Sequence, residues 1–204
     1  KCDLIVLALP IKDLISPSQR LVASIPQGTI LTDVGSVKEP IVNTWENLHP
    51  LFIGSHPMAG TEKKGVESGF EGLFKNAKWI ITPTQKSDLN AVRTLSKLIK
   101  SMDCEICQVS PIEHDEAVSL ISHLPIFLAS ALIETVHTKN NQSFLKITQK
   151  LAATGFSDTS RVGGGNVQLG LDLARNNRIN ILNAIDNFTN NLNELKLLIR
   201  EENW

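Results

Sequence analysis

Residues 29–48 read TILTDVGSVKEPIVNTWENL, a stretch in which a strand, a turn and a helix follow one another directly. The run Thr29–Val34 is rich in β-branched and apolar residues, which predicts a strand. Gly35 permits a tight turn after it. The spacing of apolar residues in Glu39–Leu48 then predicts an amphipathic helix. A strand that feeds a helix through a short turn is the building unit of α/β folds.

The same alternation extends in both directions from this segment. The continuous apolar run Leu4–Leu9 has the pattern of a strand buried on both faces, and Ile11–Ile25 predicts a helix and a turn. Strands that alternate with helices indicate βαβ units and a mainly parallel sheet. The other predicted elements of this part are strands at Leu51–Gly54, Lys78–Thr82 and Glu105–Val109 and a helix at Asp88–Met102.

After Pro111 the strand patterns end and helical spacing replaces them. Helices are predicted at Phe144–Ala153 and Asn180–Arg200. The sequence therefore predicts an α/β domain over residues 1–110 and an all-helical domain over residues 111–204. A first helix of the second domain is indicated by one apolar stripe, which consists of Val118, Ile121, Leu124, Leu128, Ala131 and Leu132.

The last predicted helix carries an apolar seam with alternating spacings of four and three residues, which resembles a heptad pattern. Such a seam packs either inside one subunit or against a second copy of the chain. Its length of nearly three heptads favours a dimer. The members of the seam are Ile181, Ile185, Phe188, Leu192, Leu195 and Ile199.

The composition bears on the partners of the protein. The 204 residues carry a formal net charge of −1, so no strong basic field exists to attract nucleic acid or an anionic membrane surface. No apolar run approaches the roughly 20 residues that a membrane-spanning helix requires. We therefore expect a small-molecule ligand and neither a nucleic-acid nor a membrane partner.

The three cysteines indicate a reducing compartment. Their number is odd and too low for the disulfide framework of a small secreted protein. Cys104 and Cys107 have the spacing of redox and zinc sites, but no second pair or nearby histidine completes a metal site. We interpret them as packed thiols in a strand and expect a cytoplasmic protein without a metal.

Ligands of open parallel sheets bind beyond the carboxyl ends of the strands, and three such ends carry suggestive residues. Leu9 and Pro10 follow the first strand, where they either line a flat ring or only stop the strand. After the second strand, Gly35 allows the close approach of a ligand. Ser36 and Glu39 have capping-box spacing, so Ser36 caps the following helix, binds a substrate oxygen, or does both.

The third strand end carries the clearest chemical signal. His56 follows the short strand Leu51–Gly54 and is surrounded by small residues in the segment GSHPMAGTE, residues 54–62. A lone histidine is usually structural, but this one lies where an α/β fold places its chemistry. Because imidazole is the natural proton acceptor near neutral pH, we predict that His56 is a general base.

Two of these strand ends together resemble a known family. The motif at residues 35–38 followed by the motif at residues 54–62 is similar to the prephenate/arogenate dehydrogenases of tyrosine biosynthesis. The segments SHLP at 122–125, GFSDTSRV at 155–162 and Asn-Arg at 177–178 agree in order and spacing over nearly the whole chain. The resemblance implies a Rossmann-like dinucleotide-binding domain, an all-helical dimerisation domain, and a homodimer formed through the C-terminal helices.

The resemblance also implies a reaction. A cyclohexadienol substrate loses hydride from C4 to a nicotinamide cofactor and then loses carbon dioxide. Because the C4 hydroxyl becomes a carbonyl, it must lose a proton, and His56 matches the family's histidine in that role. Ser36 matches the family's site serine, and Arg161 matches the arginine that binds a substrate carboxylate.

Further site residues follow from the same resemblance. In the family, acidic residues at the positions of Glu62 and Asp158 form an ionic network around the arginine. The alternative for Arg161 is a surface ion pair with Asp158, and the two arrangements are compatible. His123 is either a site residue or a satisfied core histidine. The implied substrate-binding residues are Arg161, Thr61, Glu62, Asp158 and His123, and the implied cofactor-binding residues are Leu9, Pro10, Gly35, Ser36 and Met58.

Two departures from the family pattern bear on the substrate. Ile126 stands where some prephenate-using relatives have a second histidine, and residues 167–170 lack the Pro-x-Met-Trp run of many relatives. The segment SRVGGGN, residues 160–166, is similar to cyanobacterial arogenate dehydrogenases. We therefore expect arogenate as the substrate and NADP as the cofactor. NAD and a prephenate-specific enzyme are the alternatives.

The motif Gly-x-Gly-x-x-Gly, which holds a dinucleotide pyrophosphate at a helix start, does not occur in this sequence. Relative to the family, Lys1 aligns roughly with the start of the fourth strand, so we expect the first part of the cofactor domain to lie outside this sequence. Two other classes stay open. One is a β-hydroxyacid dehydrogenase, which needs a lysine in the helical domain, and the other is a non-catalytic module that dimerises or binds an aromatic effector.

Overall fold

A computed structural model describes residues 2–60, 65–137 and 141–204. The chain divides into two compact units, Lys1–Asp115 and Glu116–Trp204. The first unit contains a sheet with helices, and the second is helical in its described residues.

The first unit is built on a five-stranded sheet whose spatial order follows the chain order, β1-β2-β3-β4-β5. β1, β2 and β3 are parallel, β4 is antiparallel to β3, and β5 is parallel to β4. The predicted α/β class with a mainly parallel sheet is confirmed. The strands are β1 at Leu4–Leu7, β2 at Ile30–Asp33, β3 at Phe52–Pro57, β4 at Lys78–Thr82 and β5 at Glu105–Gln108.

Helices of the first unit cover the sheet with their apolar faces. Trp45 on α3 is fully buried, and its indole N–H donates to the carbonyl of Leu14 at 2.7 Å. The main core cluster lies between the sheet and α4 and includes Ile53, Trp79 and Leu95. The helices are α1 at Ile11–Ile15, α2 at Gln19–Ser24, α3 at Glu39–Leu48 and α4 at Leu89–Ser101, with a short 3₁₀ helix at Val66–Ser68.

Two strands differ from their sequence predictions. β1 is not buried on both faces in the described residues, since its Val6 is 45% exposed. β3 continues to Pro57 instead of ending at Gly54, because residues 54–57 pair antiparallel with β4. His56 therefore lies within a strand and not after one.

The cysteines differ from one another in their surroundings. Cys104 is packed, its thiol lies 3.1 Å from the carbonyl of Phe74, and burial raises its pKa. Cys107 is exposed on β5, so the interpretation of both as packed thiols is wrong for Cys107. Three of the four residues of β5 are exposed, and Cys107 is one of them.

The described residues of the second unit form a series of helices. The helix α5 at Pro111–Val118 leads into it and continues through a π turn, Ser119–His123, into α6 at Leu124–His137. The predicted all-helical character is confirmed for the described residues. The remaining elements are α7 at Gln142–Leu151, α8 at Thr154–Ser160, a 3₁₀ helix at Arg161–Gly164, α9 at Val167–Asn176 and α10 at Arg178–Arg200.

The π turn changes which side chains of this long helix are buried. A π turn contains an extra residue, so it shifts the helical phase relative to a 3.6-residue period. Val118 and Leu124 are buried, whereas Ile121 between them is 71% exposed. The predicted stripe through Ile121 is therefore wrong at that residue.

One helical run of the described residues, Pro111–His137, is long and apolar enough to cross a membrane by length and composition. The expectation that no run reaches this length is wrong, because residues 117–133 contain serine and histidine but no Asp, Glu, Lys or Arg. The run is weak evidence for a membrane span, since core helices of soluble proteins have the same composition. It also contains the buried polar residues Ser119 and His123.

The apolar seam of α10 is only partly covered within the chain. Ile181 is buried, but Leu192, Leu195 and Ile199 are each more than half exposed. The C-terminal half of α10 thus presents an apolar face that the chain's own described residues leave open to solvent.

Candidate active site

A buried ion pair lies at the carboxyl end of β2. The side chains of Asp33 and Lys38 are both fully buried and in direct contact. The Lys38 ammonium also donates to the carbonyl of Ser55 at 2.7 Å. The Asp33 carboxylate accepts from the N–H of Gly35 at 2.8 Å and from the N–H of Ser55 at 3.1 Å. The pair thus ties the turn after β2 to the backbone of β3, one residue before His56.

Asp33 and Lys38 are two charged groups without access to solvent, and each stabilises the charge of the other. Burial lowers the pKa of Lys38, and the charge and hydrogen bond of Asp33 act in the opposite direction. Because neither group is exposed, each charge relies on its partner and on the backbone dipoles around it for stabilisation.

Ser55 and Gly54 fix the course of β3 beside this pair. The hydroxyl of Ser55 donates to the carbonyl of Asp33 at 2.6 Å and accepts from the indole N–H of Trp79 at 3.1 Å. A Cβ atom on Gly54 would lie only 2.6 Å from the side chain of Val42 and 2.5 Å from that of Thr82. Only glycine therefore lets β3, the strand that carries His56, pass this closely.

His56 contacts a second histidine that the sequence analysis did not single out. Its Nδ1 lies 2.9 Å from Nε2 of His114, and the two rings are edge to face with centroids 5.1 Å apart. Nδ1 of His114 lies 2.7 Å from a carboxylate oxygen of Asp115. His114 and Asp115 are both buried, while His56 is half-buried. The three side chains form a continuous hydrogen-bonded chain.

Asp115 also caps helix α3. Its carboxylate accepts from the backbone N–H of Lys38 at 2.6 Å and of Glu39 at 2.9 Å. The capping box predicted for Ser36 and Glu39 is wrong, since the N-cap residue is Lys38 and no side chain of the local segment caps the helix. The acceptor is instead the carboxylate of Asp115, which is distant in the sequence. Ser36 is half-buried in the turn before the helix.

The other candidate residues of the first unit lie near the same edge of the sheet. Because β1, β2 and β3 are parallel neighbours, the segments after β1 and β2 lie on the side where β3 ends. Leu9 and Pro10 follow β1, and both are exposed. Gly35 is buried after β2, and Met58 is half-buried directly after β3. Thr61 and Glu62 lie outside the described residues.

The second unit carries the remaining candidates. His123 is buried in the π turn, and its Nδ1 lies 3.2 Å from the side-chain nitrogen of Asn177. Arg161 and Asp158 are both exposed, and in the part of the chain that the structure describes no ion pair joins them. The ion pair considered between Arg161 and Asp158 is therefore not formed in the described residues.

The segment that carries Arg161 is packed directly on the backbone of α6 through Gly163. A Cβ atom at Gly163 would lie 2.6 Å from backbone atoms of Ala129 and Ser130, which cannot move as a side chain can. We expect Gly163→Ala to destabilise the second unit by about 1–3 kcal/mol, as overpacking does. We also expect it to raise the KM of any substrate held by Arg161. Urea unfolding followed by far-UV circular dichroism and steady-state kinetics measure the two effects.

The next glycine provides a matched control for this substitution. A Cβ atom at Gly164 meets nothing within 4 Å, and its φ is not in the left-handed region. Gly164→Ala should change the free energy of unfolding by less than about 0.5 kcal/mol. Equal effects of the two substitutions would contradict the close packing of Gly163 on α6.

Sequence reasoning missed four residues of this site: Asp33, Lys38, His114 and Asp115. Asp33 and Lys38 both lie in the strand-turn-helix segment 29–48, one on each side of the turn. His114 and Asp115 are adjacent ionisable residues at a helix start, and that adjacency was the available signal. No local pattern indicated that they contact His56 and α3.

Two family models match the chain. One is described as prephenate dehydrogenase, nucleotide-binding domain, and matches residues 1–108. The other is described as prephenate dehydrogenase, dimerization domain, and matches residues 110–204. The chain belongs to the prephenate dehydrogenase family. The resemblance inferred from the motifs is confirmed, and so is a Rossmann-like α/β part followed by a helical part.

Two curated relatives of this chain are named after different substrates. The prephenate dehydrogenase of Bacillus subtilis (strain 168) is 32% identical over 202 residues, which are 97% of this chain and 54% of that protein. The cyclohexadienyl dehydrogenase of Zymomonas mobilis is 28% identical over 204 residues, 99% of this chain and 69% of that protein. The chain thus spans about half the length of the first relative and about two thirds of the second.

Solved structures of the family have the same fold. The crystal structure of Synechocystis arogenate dehydrogenase matches with a TM-score of 0.84 and 36% identity, covering 99% of this chain and 73% of that one. The prephenate dehydrogenase of Aquifex aeolicus in complex with hydroxyphenyl propionate and NAD+ matches with a TM-score of 0.91 and 31% identity, covering 98% and 70%.

Proposed function

We propose that this chain carries the substrate-binding and proton-accepting part of a dehydrogenase that oxidatively decarboxylates arogenate, or alternatively prephenate. The products would be tyrosine or 4-hydroxyphenylpyruvate. The observation that supports this most directly is the position of His56: a half-buried histidine in β3, hydrogen-bonded to His114, at the ligand-binding edge of a parallel sheet. The membership in the prephenate dehydrogenase family supports the same reaction.

In this proposal three side chains of the chain have different roles in the reaction. His56 accepts the proton of the C4 hydroxyl as that carbon becomes a carbonyl. Ser36, half-buried in the turn between β2 and α3, hydrogen-bonds the same region of the substrate. Arg161 binds a substrate carboxylate, since its planar guanidinium offers two parallel donors. Its exposure and lack of an ion pair with Asp158 leave the guanidinium available to an anionic ligand. Loss of carbon dioxide and aromatisation make the reaction effectively irreversible.

A nicotinamide cofactor fits the residues at the sheet edge. Leu9 is an apolar residue that is 38% exposed beside Pro10, and Met58 is half-buried after β3, so these side chains can contact a flat ring. Gly35 allows close approach in the turn after β2. When bound, the oxidised nicotinamide would accept the hydride that leaves C4. We propose NADP as the cofactor, with NAD as the alternative.

Arogenate is proposed as the substrate on the basis of one sequence position and one similar structure. Ile126 on α6 offers no hydrogen-bond donor where some prephenate-using relatives have a histidine. The solved arogenate dehydrogenase of Synechocystis is 36% identical to this chain. His123, Thr61, Glu62 and Asp158 complete the proposed substrate-binding set.

We further propose a cytoplasmic homodimer. The C-terminal half of α10 has an exposed apolar face, and the second family model is described as a dimerization domain. A second copy of the chain would cover that face and part of the apolar run Pro111–His137. The proposed ligands are small molecules, without nucleic acid, metal or membrane.

The test is dehydrogenase activity of the full-length protein with arogenate or prephenate and with NADP or NAD, followed by absorbance of the reduced cofactor. We expect turnover with the highest kcat/KM for arogenate with NADP. Reactions without substrate and without cofactor are the controls. No turnover in any of the four pairings would contradict the proposal and favour the dimerising or effector-binding module.

A further inference from the structure

The contacts of Asp115 determine the direction of the hydrogen bonds around it. Its carboxylate accepts from the backbone N–H of Lys38 and Glu39 and contacts Nδ1 of His114 at 2.7 Å. The two backbone donors and the positive N-terminal end of α3 stabilise the ionised carboxylate. An ionised carboxylate only accepts hydrogen bonds, so Nδ1 of His114 must be the donor.

The direction of the hydrogen bond between His114 and Asp115 also determines the direction of the bond between His114 and His56. A neutral His114 that is protonated on Nδ1 has an unprotonated Nε2, which is a hydrogen-bond acceptor. That Nε2 lies 2.9 Å from Nδ1 of His56, so the proton of their hydrogen bond belongs to Nδ1 of His56. A doubly protonated His114 would donate from both nitrogens and reverse the bond to His56, and the spectra proposed below distinguish the two states.

We propose that His114 and Asp115 are positioning residues that hold His56 in the Nδ1–H tautomer, so that Nε2 of His56 is the proton-accepting nitrogen. The inference rests on the proposed function of His56 as the base. Neutral imidazole in water favours the Nε2–H form, in which Nε2 cannot accept a proton. The Asp115–His114 contact therefore imposes the tautomer that the reaction needs.

Asp115 affects both the tautomer of His56 and the start of helix α3. The same carboxylate caps α3, which begins three residues after Ser36, and contacts His114. A substitution of Asp115 would release the helix cap as well as His114. The proposal is therefore tested at His114, whose ring contacts His56 and Asp115 without capping a helix.

The test is long-range ¹H–¹⁵N correlation spectroscopy of the full-length protein labelled with ¹⁵N-histidine, combined with kinetics. In the wild type, His56 should carry its proton on Nδ1. In His114→Leu the acceptor is gone, so His56 should shift toward the Nε2–H form and kcat should fall about 10- to 100-fold, with KM little changed. His114→Gln offers a carbonyl acceptor and should restore the Nδ1–H form and part of kcat.

His49 is a matched control. It is buried in the same unit, where it contacts the carbonyl of Pro26 and the N–H of Leu51. His49→Leu should lower Tm but leave the tautomer of His56 and the kcat of the folded protein unchanged. The last measurement separates a positioning role of His114 from a general loss of stability.

Three results would overturn the proposal: an Nε2–H tautomer of His56 in the wild type, a doubly protonated His114 at neutral pH, or a His56 tautomer that survives His114→Leu. The spectra require no substrate. An intact Nδ1–H tautomer in a protein that turns over neither arogenate nor prephenate would therefore contradict the proposed function and not the tautomer assignment.

Discussion

Asparagine in place of His56 is expected to lower kcat about 10²–10⁴-fold with the preferred substrate and cofactor, while the Kd of the substrate changes little. The amide of asparagine can still donate to Nε2 of His114, so the local packing survives. It cannot take up a proton, so the C4 hydroxyl must lose its proton to solvent. Steady-state kinetics with isothermal titration of substrate measure the two quantities separately.

His137 provides the control for this substitution. It is an exposed histidine on α6 whose Nδ1 lies 2.9 Å from the carbonyl of Ile133 in its own helix. His137→Asn makes the same chemical change away from the proposed base and should leave kcat within about twofold of the wild type. If His56→Asn retained a comparable kcat, His56 would not be the proton acceptor.

The strand-turn-helix segment at residues 29–48 shows how much local sequence determines. The predicted helix Glu39–Leu48 and the predicted strand Lys78–Thr82 agree with the structure residue for residue. Their apolar periodicity is local, and turn residues bound each element. Gly35 and Ser36 lie in the turn that local sequence predicts between β2 and α3. His56 was recognised because a motif of small residues surrounds it.

The features that sequence did not reveal depend on contacts between distant residues. Asp115 accepts from backbone groups 76 and 77 residues away, so the start of α3 is stabilised by a side chain that no local capping pattern contains. The extension of β3 to Pro57 depends on its pairing with β4. The π turn at Ser119–His123 inserts a phase shift that a 3.6-residue period does not anticipate, which exposes Ile121.

Lys38→Met is expected to cost the first unit about 3–5 kcal/mol of unfolding free energy. Methionine fills a similar volume, but it leaves the fully buried carboxylate of Asp33 with only the backbone N–H groups of Gly35 and Ser55. Urea unfolding of the full-length protein followed by tryptophan fluorescence measures the change. Trp45 and Trp79 are both buried in the first unit and report its unfolding.

The ion pair between Lys86 and Glu46 has an N–O distance of 2.9 Å and side chains that are 62% and 18% exposed, so it is a partly solvated matched control in the same unit. Lys86→Met should cost only about 0–1 kcal/mol, because solvent stabilises the carboxylate that remains. If Lys38→Met cost no more than that, the buried pair would contribute nothing beyond a surface pair.

The double variant Lys38→Met/Asp33→Asn separates the two charges from the space they fill. Each single substitution leaves one uncompensated buried charge, whereas the double variant leaves none. Its loss of stability should therefore be well below the sum of the two single losses. Additive losses would mean that Asp33 and Lys38 stabilise the fold independently, through their backbone hydrogen bonds alone. A large recovery would instead assign the stability to the pairing of the charges, which also holds the carbonyl of Ser55 next to His56.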